Sequence, residues 1–77
     1  MGDHLALLIR MRKRLDDGNA KRLRVVHGLR RADIAKEIGV TYVAVQKWEL
    51  GDRYPRGPHA IAYARLLDRL AAIEAKQ

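Results

Sequence analysis

Positions 31–51, RADIAKEIGVTYVAVQKWELG, restrict the fold of this chain more than any other stretch. Ile34, Ala35 and Ile38 stand at i, i+1 and i+4, which is one face of a helix and not the alternation of a strand. Gly39 follows, the residue type that ends a helix in the left-handed conformation at little cost. Val40 is expected to pack inward. Thr41 is placed to cap a second helix, its hydroxyl accepting a first-turn N–H. In that second helix Val45 and Trp48 share a face with Thr41, while Tyr42, Val43, Gln46 and Lys47 share the opposite face. Gly51 closes it. Helices separated by so short a turn must cross closely, and Ala35 supplies a small side chain for the crossing.

A short helix, a glycine turn and a second helix with one core side and one hydrogen-bonding side form a helix-turn-helix. Apolar spacing alone would favour two core helices of any small bundle. The small Ala35, the short Gly39-Val40 turn and the charge together favour the helix-turn-helix. The 77 residues carry a formal net charge of +7, and a compact basic protein needs or tolerates an anionic partner, most commonly nucleic acid.

The run GLRRADIAKEIGVTYVAVQKWELGDRYP resembles the Cro and phage-repressor type of helix-turn-helix, the Xre family. The resemblance is carried by Gly28-Leu29, Ile34-Ala35, Ile38-Gly39-Val40-Thr41, Val45, Glu49-x-Gly51 and Pro55, with Arg24 four residues before Gly28. It covers positions 19–67 and implies a lambda-repressor-like fold and binding to double-stranded DNA.

The flanks complete an all-α reading of five helices in one domain over residues 1–77, with positions 1–17 an N-terminal helical extension and 19–67 the family-like core. The first helix is expected over positions 3–15. Leu5, Leu8 and Leu15, with Ile9 and Met11, would form its broad apolar surface, and Arg10, Arg12, Lys13 and Arg14 crowd its C-terminal half, where cations complement the helix dipole. Asp16-Asp17-Gly18-Asn19 reads as a break. A helix over 19–27 would turn Ala20, Leu23 and Val26 inward and stop at Gly28. Helices over 31–38 and 41–50 follow. Positions 52–57 read as a loop, with Gly57 capping a last helix and Pro58 in its first turn. That helix should run to about position 75 without a break, on a stripe of Ala60, Ile61, Ala64, Leu67, Leu70, Ala71 and Ile73.

The expected base readers are Tyr42, Val43, Gln46 and Lys47, because the major groove admits a helix and presents a distinct donor and acceptor pattern for each base pair. Lys47 can donate to guanine, Gln46 can pair with adenine or touch a phosphate, and Val43 and the Tyr42 ring can pack on thymine methyl groups. The resemblance places base contacts chiefly on Tyr42, Val43 and Lys47. The family often carries small polar or amide residues there, so Tyr42 and Val43 imply a more apolar readout. Expected phosphate contacts are Arg30, Arg31, Thr41, Arg53, Tyr54 and Arg56, with the N-terminus of the 31–38 helix directing its N–H groups at the backbone. The resembled family usually has glutamine where this chain has Arg31, an arginine that can still reach a phosphate and adds charge. The resemblance also implies an Arg24–Glu49 ion pair. The surplus of apolar residues at Leu5 and Leu8, and at Leu70 and Ile73, suggests contacts between two copies, since such patches mark interfaces.

The inventory argues against other chemistry. There is no Cys and no Ser, and Thr41 is the only Thr, which leaves no thiolate metal site and little scope for nucleophilic catalysis. His4, His27 and His59 share no metal-ligand spacing, and Asp16-Asp17 lies in a turn and suits capping, not acid–base work. No apolar run approaches the roughly 20 residues of a membrane span. The expected protein is therefore a non-enzymatic, sequence-specific regulator in a bacterial cytoplasm, a small Cro-like repressor of phage or bacterial origin. It is expected to need no cofactor, metal, membrane or small-molecule ligand and to bind its operator as a homodimer. The alternatives are an antitoxin that represses its own operon, or an interaction module of the same fold that has lost DNA binding.

Overall fold

The computed structural model describes residues 3–76. They form α1 (Asp3–Asp16), α2 (Asn19–Val26), α3 (Arg31–Ile38), α4 (Tyr42–Leu50) and α5 (Gly57–Ala75). The long α5 is the floor of the fold, and α1, α2 and α3 pack against it.

On α1 the inward residues are Leu7, Met11 and Leu15, spaced i, i+4 and i+8, with Leu8 partly buried at their edge. This corrects the expected face. Leu5 and Ile9 are 68% and 59% exposed, because at about 100° per residue a side chain two positions before Met11 points to the opposite side of the helix. A run that is apolar nearly all round does not select its own buried face; α5 selects it. Arg10 and Arg14 both donate to the Asp68 carboxylate of α5, Arg10 Nη2 at 2.8 Å, and this double contact fixes the rotation of α1. Burial alone would raise the Asp68 carboxyl, but the two guanidinium bonds outweigh it and hold the group below its ordinary value.

The break between α1 and α2 is built as its composition suggests. The Asp17 carboxylate accepts the Asn19 N–H at 2.9 Å. In α2, Ala20 and Leu23 are buried, but Val26 is 54% exposed, contrary to expectation. The buried face includes Arg24, so it is centred between Leu23 and Arg24, and Val26 falls on its flank.

Between α3 and α4, Gly39 adopts φ +88°, and the N–H groups of Gly39 and Val40 both return to the Ala35 carbonyl, at 2.8 and 3.0 Å. A side chain here would be strained in the left-handed conformation. The Thr41 hydroxyl then accepts the Ala44 N–H at 3.1 Å. Thr41→Ala should cost about 1 kcal/mol, read as a lower denaturation midpoint with an unchanged m-value.

Helix α5 runs unbroken to Ala75, two turns beyond Leu67. Its cap is Arg56 and not Gly57: Arg56 is extended and its carbonyl accepts the Ala60 N–H at 3.3 Å. Gly57, with φ +60°, begins the helix just before Pro58. The buried stripe is broader than the expected one and includes Tyr63 and Leu66, because three helices cover α5 instead of one. Small residues at Ala60 and Ala64 leave space for the Trp48 and Tyr63 rings, whose centroids lie 4.9 Å apart at a tilt of 42°. Leu70 belongs to this core, which removes it as a contact between copies, whereas Ile73 is 48% exposed.

Candidate nucleic-acid interface

The outward face of α4 follows from its inward one. Val45 and Trp48 are locked in the core, and this rotation leaves Tyr42 and Val43 about half exposed, with Gln46 and Lys47 partly covered on the same side. The four expected base readers therefore lie together on one helix face. Thr41 precedes them, its oxygen engaged in the cap and its hydroxyl proton still able to donate.

Beneath this face lies a charged hub. The Glu49 side chain is only 1% exposed. Its carboxylate accepts from Arg24 Nε at 2.7 Å, Arg24 Nη2 at 3.0 Å and Arg31 Nε at 3.0 Å. Arg24 Nη1 also donates to the Leu29 carbonyl at 2.9 Å. One carboxylate thus joins α2, the start of α3 and the end of α4. The bidentate Arg24–Glu49 geometry is the strong form of this interaction. Burial foremost, then the nearby Glu49 charge, raises the Tyr63 phenol well above its ordinary value, with Arg24 opposing.

The bond from Arg31 to Glu49 was missed in the sequence reading, which assigned Arg31 to phosphate contact alone. The signal was available: an arginine replaces an amide seven residues after Arg24 and at the start of a helix that faces Glu49. The bond to Glu49 foremost raises the Arg31 guanidinium above its ordinary value. Arg31 therefore joins the buried hub from the start of α3.

The other expected phosphate contacts lie in two groups. Arg30 caps α3, where its backbone N–H and its guanidinium both donate to the Asp33 carboxylate, at 2.8 and 3.0 Å. The guanidinium bond foremost, then the backbone bond, lowers the Asp33 carboxyl. Asp33 consequently occupies part of the helix end that was expected to be open to phosphate. Arg53, Tyr54 and Arg56 stand exposed on the loop after α4. The Tyr54 hydroxyl donates to the Asp16 carboxylate of α1, and the Arg12 guanidinium lies 4.5 Å above the Tyr54 ring.

A family model described as Helix-turn-helix matches residues 21–71. The chain belongs to that family. It is the Cro/C1-type, Xre-like helix-turn-helix, a domain of DNA-binding transcriptional regulators, and it implies binding to double-stranded DNA. No curated protein and no solved structure matches the chain. Helix α1 lies wholly outside the matched span, although it contributes three side chains to the core. Among the described residues no helix is long and apolar enough to cross a membrane.

Proposed function

We propose that this helix-turn-helix protein is a small, Cro-like repressor of phage or bacterial origin that reads an operator through the major groove with α4. The observation that carries the reading is the division of α4: Val45 and Trp48 are held in the core while Tyr42 and Val43 stand exposed beside Gln46 and Lys47. Exposed beside Gln46 and Lys47 on one helix face, Tyr42 and Val43 are placed to meet thymine methyl groups while the polar pair meets base edges. Arg31, Arg30, Thr41 and the 53–56 loop surround this face and would contact backbone phosphates, which fix position without reading sequence.

We read the operator-bound form as a homodimer. Its support is the exposure of Leu5 and Ile9 on α1 and of Ile73 on α5. These are two separate faces, since Ile73 borders the groove between α3 and α5 while α1 covers the flank of α5 that carries Asp68.

Selection of bound sites from a random duplex pool at several salt concentrations tests the reading. A recurrent palindrome is expected, with half-sites about 34 Å apart for a two-fold dimer. Affinity for the selected site should fall steeply with salt, by about 0.9 in the log–log slope for each phosphate neutralised. Lys47→Ala and Tyr42→Ala should each relax the preference at particular base pairs by about 1–3 kcal/mol. Binding with no sequence preference and a slope near zero would reject the proposal. Unchanged base preferences in both variants would mean that α4 is not the reading element.

A further inference from the structure

The helix outside the matched span carries four consecutive-turn cations, and the structure divides them. Arg10 and Arg14 face the flank of α5 and are occupied by Asp68. Lys13 is exposed on the outer surface. Arg12 alone turns toward the loop that follows α4, where its guanidinium carbon lies 4.5 Å from the centroid of the Tyr54 ring. Arg12 and Arg56 line one cleft with Leu8 and Pro55 between them. Tyr54 and Arg56 in turn line a second cleft with Arg53 and His59, which reaches Ala44 on α4. A basic surface therefore runs from α4 through the loop to α1. Two carboxylates lie along it, Asp52 in the second cleft and Asp16, which accepts from the Tyr54 hydroxyl and keeps its charge, against the three guanidinium groups of Arg12, Arg53 and Arg56.

A cation–π contact matters here because it holds a guanidinium by its charge and not through its N–H groups. A guanidinium carries five N–H donors in a fork that fits phosphate oxygens. Among the described residues Arg12 forms no salt bridge. Tyr54 thus holds Arg12 in place without consuming its donors, and it ties that position to the loop behind the reading helix.

We propose that Arg12 of α1, together with Arg56, grips a DNA backbone phosphate, so that the helix outside the matched span is part of the DNA-binding surface. The proposal rests on the reading of α4 as a DNA-binding helix and adds a contact beyond it. The ligand is a phosphodiester of the bound duplex, and the role of Arg12 is positional rather than base-reading.

The test compares Arg12→Gln with Lys13→Gln in the full chain, on the selected duplex, over a salt titration. Both lose one charge from neighbouring exposed positions of α1, and thermal melts establish that each is folded. Arg12→Gln is expected to flatten the log–log slope by about 0.9, so that a fourfold rise in salt weakens it about threefold less than the parent protein. Its base preferences should be unchanged, and Lys13→Gln should retain the parent slope. Equal flattening by both variants would reduce the effect to net charge and overturn the proposal. A parent slope in Arg12→Gln would overturn it as well while leaving the α4 reading intact. A parent protein without salt-dependent binding would instead reject the DNA-binding function itself.

Discussion

Glu49→Ala should cost about 3–5 kcal/mol of folding free energy, the range for breaking a buried ion pair from one side. The variant removes the acceptor of three guanidinium bonds at once. Arg24, whose side chain is 11% exposed, would keep only the Leu29 carbonyl as a partner and would remain a nearly buried charge without a counterion. Arg31 is better solvated and can turn outward, so most of the loss falls on Arg24. Arg24→Ala should be milder, because Glu49 would retain the bond from Arg31 and the protein would shed the buried cation together with its desolvation cost. Urea denaturation of the two single variants and the double variant would measure the coupling. The double variant should be less destabilised than the sum of the singles, since the second substitution removes a charge that the first left unpaired. Equal and small shifts in both singles would mean that water screens the hub, as it does for surface pairs.

This hub marks the limit of what the sequence made legible. The helices over 31–38 and 42–50, the Gly39 turn and the Thr41 cap follow from local chemistry: a left-handed residue, a hydroxyl before a helix, and apolar positions at one spacing. The grouping of Tyr42, Val43, Gln46 and Lys47 on one face follows equally, because Val45 and Trp48 leave a single choice of inward side. Arg24–Glu49 could be inferred only through the family resemblance, since 25 residues separate the partners and no local pattern joins them. The participation of Arg31 has a signal only in the departure from the family's glutamine, since 18 residues separate it from Glu49. Buried faces were read well where a helix has one neighbour and poorly where it has several. Helix α5 hid Tyr63 and Leu66 because three helices cover it, and Val26 was misplaced because a charged residue, Arg24, sets the face of α2. Leu70 and Ile73 looked alike as apolar positions near the chain end, but only Leu70 lies on the side toward the core. The site was legible as a face and not as a network.

The second large effect concerns α1, where sequence pattern and structure disagree most. Met11→Ala should cost about 2–5 kcal/mol, whereas Leu5→Ala should stay within about 0.5 kcal/mol of the parent protein. Met11 is 1% exposed and lies between Leu7 and Leu15 against α5, so truncation opens a cavity in a core with few side chains to refill it. Leu5 is 68% exposed, and its side chain gains little from folding within one chain. The contrast also bears on why α1 is present. A helix-turn-helix module whose matched span begins at residue 21 would have no need of the preceding helix if that helix were a tail. Here Met11, Leu7 and Leu15 close the side of α5 that α2 and α3 leave open, and Asp68 pins the helix from the other edge through Arg10 and Arg14. The side that closure leaves outward carries Leu5 and Ile9, the residues most available to a second copy. Denaturation of Met11→Ala at low protein concentration would isolate the monomer term. Leu5→Ala should then lose stability only as concentration rises, since a group used between copies contributes in proportion to the population of the dimer. If Met11→Ala melted with the parent protein, α1 would be peripheral to the core. Its exposed leucine and isoleucine would then have to be explained by α1 leaving α5 altogether.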